Sequence, residues 1–455
     1  MQGVVGVYSH SDASTKGQYI LYGVQHRGQE SSGVTAASNH SMRTWKAKGL
    51  ISNVLDKRYT AFTHPDDYVI IGAASGENTD NGYTPIESQK HPRYKFSLAL
   101  DGFFPDKQGS NEDVIKHTIL ANLESGMSFF NALKKTMRTH RGSYYSLVMA
   151  VWDKEKEKST LIAARDERGI RPLYMAKSID GFYIASESAP IDVMENMGYE
   201  FIERGDVTPG SLVMITDNKI TTEQVLESSP AHCVFEWVYF GRPDSVVEGK
   251  TVHIVRKRLG HGLVDIHDLN DEYQSHKNNG LVVIPVPDSG RSVSTGVAEA
   301  LDVTADEGVI KNAYLGRTYI IDDPDYRKVA SDLKHNIIRK TVEGKKVVLS
   351  DDSIVRGTVS ESIAKNLRQA GATEVDFLVS YAPIFYPCFS DPADKPLAAK
   401  EFKGKSLEEI GELVAGNLPS IDNVRYNSVE KVLWAVDLPP EHICTYCVSG
   451  CNPFK

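Results

Sequence analysis

At 455 residues the chain is longer than one core usually serves, and two units of about 200 residues each are expected. It is 41% apolar and 24% charged, an ordinary globular mixture, and its net charge of −9 argues against a general nucleic-acid binder. No apolar run reaches the roughly 18 residues of a membrane helix, no signal-peptide pattern opens the chain, and five cysteines make no disulfide scaffold, so a cytoplasmic protein is expected.

The opening MQGVVGVYSH has no charge before His10 and reads as a buried strand. Chain ends usually fray unless tied down, which raises the question of what Gln2 does there. Further short strand-like runs follow: YVIIGAA, KFSLALDG, YYSLVMAVWD, STLIAARD, GFYIASES and SLVMITD. One helix is expected over 111–125, where apolar residues recur at helical spacing. The rhythm then changes. The runs 280–287, 345–352 and 374–383 are nearly continuous apolar strands, with helices expected over 292–302, 358–371 and 405–416. Such alternation predicts a parallel sheet with crossover helices. The boundary falls near 222–232, giving domains 1–225 and 226–455. The polar, His- and Asn-rich segment 265–279 reads as a surface helix end and loop.

The strongest chemical signal is VVLSDDSIVRGTVS, 347–360. A buried strand ends in Asp351 and Asp352, a loop with Ser353, Arg356, Gly357, Thr358 and Ser360 follows, and a helix begins. Parallel sheets bind ligands beyond the carboxyl ends of their strands, and a helix N-terminus favours anions. Paired carboxylates before such a loop suit ribose hydroxyls, or a Mg²⁺ that bridges to a polyphosphate.

This stretch resembles the phosphoribosyl-pyrophosphate (PRPP) signature of type I phosphoribosyltransferases, most closely that of the glutamine PRPP amidotransferase family. The segments 233–260, 282–298, 311–320, 383–399 and 406–414 are similar to family segments in family order. The resemblance implies a C-terminal type I phosphoribosyltransferase α/β domain and a PRPP site. That site would take Asp288, Ser289 and Arg291 from the loop PDSGRS, with Lys311, Arg317 and Lys334 in or near a mobile loop, besides Asp351 to Ser360. Ala313 stands where the family usually has Arg.

Cys444 and Cys447 form a C-x₂-C pair, while Cys233 and Cys388 stand alone. Four thiolates suit Zn²⁺ or a cubane cluster, and spacing leaves both open. The resemblance implies the [4Fe–4S] branch, with all four as ligands and Cys451 as a free thiol.

YGVQHRGQESSGV (22–34), TLIAARDERGIRPLYM (160–175) and GFYIASESAP (181–190) resemble the glutaminase domain of the same family. That implies a four-layer αββα N-terminal-nucleophile hydrolase-like fold. Its reagents differ here. The family opens on a nucleophilic Cys, whereas this chain has Gln2, and a carboxamide is no nucleophile. Ser75 stands at the glutamine-clamping Arg, Asp101 at the oxyanion-stabilising Asn and Asn111 at the Asp that binds the substrate amine, leaving Gly102 of that set. The expectation is a transferase without its own glutaminase, making 5-phosphoribosylamine for purine synthesis from PRPP and ammonia, free or from a partner. A non-catalytic paralogue that regulates or completes a hetero-oligomer, and phosphoribosyl transfer to another amine or base, are the alternatives. The implied partners are PRPP, purine nucleotide effectors and further copies in a homodimer or homotetramer.

Overall fold

The opening strand is held on both sides. In the computed structural model, which describes residues 1–55, 62–76, 84–88, 91–105, 109–277, 280–312, 334–390 and 396–454, strand Gln2–Ser9 pairs with Val69–Ser75 and with Gly181–Ala185. It lies inside a seven-stranded antiparallel sheet. A six-stranded sheet containing Tyr94–Phe103, Tyr144–Asp153 and Lys158–Arg165 faces it. Val4, Ile71 and Ala73 of the first sheet meet Ala99, Val148 and Ala163 of the second in one apolar layer. Both sheets need cover on their outer faces. Helices Ala13–Gly23 and Ala189–Asn196 cover the first, and Asn111–Glu124 and Phe129–Thr139 cover the second. The result is the expected αββα order.

The helix expected over 111–125 forms as Asn111–Glu124, started by a capping box between Ser110 and Asp113. The other three of these covering helices were not expected from the sequence. Ala13–Gly23 hides because Gly17 and Lys16 interrupt its buried face, with Lys16 reaching Asp180. Val225 and Leu226 still pack in the core beneath the second sheet, after which His232–Cys233 pairs with Ile443–Cys444 of the C-terminal tail.

The second half is built on a four-stranded parallel sheet in the order Leu281–Pro285, Lys346–Asp351, Glu374–Val379, Asn423–Tyr426. Helices Val252–Ile266 and Arg291–Leu301 pack on one face, and Thr358–Gln369 and Leu407–Gly416 on the other. The polar segment 265–279 differs from expectation. It contains a short helix, Leu269–Tyr273, whose Leu269 and Tyr273 are buried, and the Tyr273 hydroxyl donates to Asp376 at 2.7 Å. Among the described residues no helix is long and apolar enough to cross a membrane.

Candidate functional site

A cavity of about 1030 Å³ is lined by both halves, and many of the residues singled out by the sequence line it, among them Asp101 and Asn111, four cysteines, Ser289 and Asp351 to Ser360, whereas Gln2 and Ser75 do not. At the transferase end, strand Lys346–Asp351 delivers Asp351 and Asp352 to the sheet edge, and both are buried. Asp351 accepts from the Ser289 hydroxyl at 2.6 Å and from the Asp352 N–H at 2.8 Å, while Ser353 donates to Asp352 at 2.5 Å. Ser289 can reach because its neighbour is glycine: a Cβ on Gly290 would stand 2.1 Å from the Ser350 carbonyl oxygen. Burial, then the adjacent carboxylate, pushes Asp351 well above the usual carboxylate range, and burial raises Asp352. Among the described residues neither acid has an ion-pair partner. Arg256 lies near Asp352, yet its N–H groups donate to the Trp237 and Gly241 carbonyls at 2.7 and 2.9 Å.

The loop beyond the acids turns at Gly357, with φ of 81°, where a side chain would be strained and would also press on Leu418. Helix Thr358–Gln369 starts there and presents its unpaired first-turn N–H groups. Arg356, Gly357, Thr358 and Ser360 line the cavity, as do Lys311 and Lys334 from the opposite side. Asp288 and Arg291 do not: they sit outside it, with Asp288 accepting from Lys311 at 2.6 Å and Arg291 donating to Glu307 at 2.8 Å. The expectation that Arg291 faces the pyrophosphate is therefore not met in this conformation. Arg317 and Ala313 lie outside the described residues. Sequence reasoning missed His335, Tyr239 and Phe240 in the lining; the aromatic run FEWVYF was the available signal.

At the other end, the Gln2 N–H donates to Asp101 Oδ1 at 3.1 Å and its Nε2 to Glu112 at 2.7 Å. Ser75 is buried and directly opposite Gln2 in the sheet. Asn111 turns inward, donating to the Gly102 carbonyl at 2.9 Å and accepting from the Phe104 N–H at 3.2 Å. A buried ion network lies behind them. Arg27 donates to Glu187 at 2.6 Å and to Glu236 of the second half at 2.5 Å, and Arg171 also donates to Glu236, at 2.9 Å. Burial pushes Glu187 up, but Arg27 and His26 outweigh it and hold the carboxyl well below its usual range.

The cysteines form the wall between the ends. Cys233 and Cys444 are register partners, and both line the cavity with Cys388 and Cys447. Tyr144, Ile170, Phe389 and Phe454 pack around the first two, joining tail to N-terminal domain. All five cysteines are free; Cys388 and Cys451 are exposed. Burial pushes Cys444 to about 11, Cys447 to about 12 and Cys233 well above its ordinary value. Among the described residues no three His, Cys, Asp or Glu side chains are grouped to hold a single metal ion. Tetrahedral zinc would need its sulfurs about 4 Å apart, whereas a cubane spreads four thiolates over four irons. Cys233, Cys388, Cys444 and Cys447 line one cavity and supply a soft donor set of the type such a cluster takes. The adjacent, unneutralised Asp351 and Asp352 likewise fit a divalent cation.

Residues 110–192 match the glutamine amidotransferase domain model. Over 99% of this chain and 94% of the relative, it is 32% identical to the amidophosphoribosyltransferase of Bacillus subtilis, and 30% identical to that of Methanothermobacter thermautotrophicus at the same coverage. It is also similar to the structure of the B. subtilis glutamine PRPP amidotransferase complexed with ADP and GMP, with a TM-score of 0.82, 29% identity and coverage of 99% of this chain and 97% of that one. Fold and site thus define an N-terminal-nucleophile hydrolase-like domain joined to a type I phosphoribosyltransferase domain. The last sheet carries its acids and anion-binding loop where that class binds ligand. The chain belongs to the amidophosphoribosyltransferase family, a family of phosphoribosyltransferase enzymes.

Proposed function

We propose that the protein makes 5-phosphoribosylamine from PRPP and ammonia, as a step of purine biosynthesis, and does not generate that ammonia from glutamine itself. The observation that carries the reading is the contrast within one cavity. Asp351, Asp352 and the following anion loop line it, as does Asp101, and Gln2, which is outside the lining but hydrogen bonded to Asp101 and Glu112, stands at the position where the family has its nucleophile. The matched segment 110–192 supports the domain's fold and contains Asn111, but not Gln2, Ser75 or Asp101.

In this reading the first turn of helix Thr358–Gln369, with Thr358 and Ser360, holds the 5-phosphate, while Ser289 and Lys311 face the pyrophosphate. Asp351 and Asp352 orient the ribose hydroxyls and would hold Mg²⁺, which supplies charge to the departing pyrophosphate. The bond from C1 to the pyrophosphate oxygen breaks and its electron pair leaves with pyrophosphate. Ammonia forms the new C1–N bond and gives one proton to solvent. The protein contributes positioning and exclusion of water. Cys233, Cys388, Cys444 and Cys447 would hold a [4Fe–4S] cluster that fixes the tail against the N-terminal domain. Purine nucleotides act as effectors, as the ADP and GMP in the B. subtilis structure suggest, and the chain works as a homodimer or homotetramer.

The test incubates anaerobically purified protein with PRPP and Mg²⁺, adds ammonia or glutamine, and measures pyrophosphate. Release with ammonia and none with glutamine is expected. Release with glutamine overturns the loss of glutaminase, and no release with either overturns the transfer reading. Iron and sulfide near four per chain with a brown chromophore are expected; stoichiometric zinc overturns the cluster.

A further inference from the structure

Tyr381 is held at both its backbone and its ring. It follows strand Glu374–Val379, and its N–H donates to the Asp352 carbonyl at 3.0 Å. Its side chain is 1% exposed and packs edge to face on Phe235, with ring centroids 4.7 Å apart, in an apolar cluster with Val234, Trp237 and Ile443. The hydroxyl fixed in this way meets Cys447 Sγ at 3.0 Å. Cys447 is fixed in turn, its carbonyl accepting from the N–H groups of Phe385 and Tyr386 at 2.9 and 3.0 Å.

A buried phenol hydroxyl needs a partner, and a neutral thiol is a poor one, being a weak donor and a weak acceptor. A thiolate is a charged acceptor with no proton to give, so toward a thiolate the Tyr381 O–H can only donate, in a charge-assisted bond. A cysteine that ligates a metal is a thiolate. Cys388 makes the contrast. It is exposed, and water can take the place of the Ser390 hydroxyl that lies 3.1 Å from its sulfur. Groups that hold a metal ligand in this way are typically worth about 10–100-fold in metal affinity. A hydrogen bond to a ligating sulfur also draws charge from it, which favours the more negative, reduced form of an iron–sulfur cluster.

We propose that Tyr381 is a positioning residue for Cys447: its hydroxyl donates to the Cys447 thiolate, holds that sulfur in place as a cluster ligand and raises the reduction potential of the cluster. This rests on the [4Fe–4S] reading above.

The experiment uses anaerobically purified full-length protein and Tyr381→Phe, which keeps the ring and removes the hydroxyl. Iron release to an excess of a ferrous chelator is expected to be about tenfold faster in the variant. The midpoint potential of its cluster, followed by the EPR signal of the reduced form, is expected to fall, because the reduced cluster loses the donor that favoured it. Fluorotyrosine in place of Tyr381, a more acidic donor of nearly the same size, should move the potential upward, and it serves if the phenylalanine variant does not fold. Unchanged release and potential in the folded variant, with iron and sulfide present in the wild type, overturn the role of Tyr381 and leave the cluster reading standing. Faster release with no shift of potential also overturns it, since the hydroxyl would then only fill space. Zinc in place of iron in the wild type overturns the cluster and this role with it.

Discussion

The two ends of the interdomain cavity keep buried charge in opposite ways. At the transferase end, Asp351 and Asp352 lie side by side with no ion-pair partner among the described residues, an arrangement that stores repulsion until a cation and ligand arrive. At the glutaminase-like end, acids and guanidiniums are interleaved, and Arg27 binds Glu187 and Glu236 at once. The difference teaches what each end is for. Unneutralised charge is held ready for a ligand, whereas neutralised charge holds the domains together. Substitutions at the first end should therefore cost activity and little stability, and those at the second the reverse.

The largest effect is expected from Asp351→Asn combined with Asp352→Asn. Losing the metal-binding and ribose-orienting groups should lower ammonia-dependent pyrophosphate release by about a thousandfold or more. The melting temperature should hold or rise, because replacing two adjacent buried carboxylates by amides removes their mutual repulsion and their desolvation cost. A large fall in melting temperature would show that the pair is structural. Chelation of divalent cations should reproduce the loss of activity reversibly.

Arg27→Met tests the opposite end. It leaves Glu187 and Glu236 buried without their main partner, and breaking a buried pair from one side costs about 3–5 kcal/mol. Denaturant unfolding should show that loss, while the PRPP KM of whatever remains folded should change little. Ser289→Ala is expected to be milder. It removes the hydroxyl that fixes Asp351, and PRPP KM should rise by about tenfold, the effect of roughly one hydrogen bond to a charged group, without loss of stability.

What could be read from the sequence follows the same division. Asp351, Asp352 and the loop to Ser360 are contiguous, so one strand, turn and helix start contain their chemistry, and the structure sets them on one cavity. Three strands of the parallel sheet were legible for a like reason, being continuous apolar runs, whereas the fourth, the short Asn423–Tyr426, was not expected. The ion network was not legible. Its members come from positions 27, 171, 187 and 236, and only tertiary folding brings them within 3 Å. Nor were helices Ala13–Gly23 and Phe129–Thr139, whose buried stripes are interrupted or flanked by Lys and Arg side chains. Arg291 shows the limit of motif reading: its place in the loop was clear, but its pairing with Glu307 depends on a residue sixteen positions away.

The smallest effect, and the most direct probe of the glutaminase-like end, is Gln2→Cys. A thiol there should not create glutamine-dependent turnover. Asp101 already accepts from the N–H of residue 2, so an anion stands where an oxyanion would need a donor. The same anion and the burial of position 2 would raise the pKa of the new thiol and keep it protonated. Glutamine-dependent pyrophosphate release should stay at background, and losing the bond to Glu112 should cost about 1 kcal/mol of stability. Glutamine-dependent release in this variant would mean that the pocket lacks only its nucleophile. Asp101, Ser75 and Asn111 would then have to be reckoned as tolerated changes in a working site.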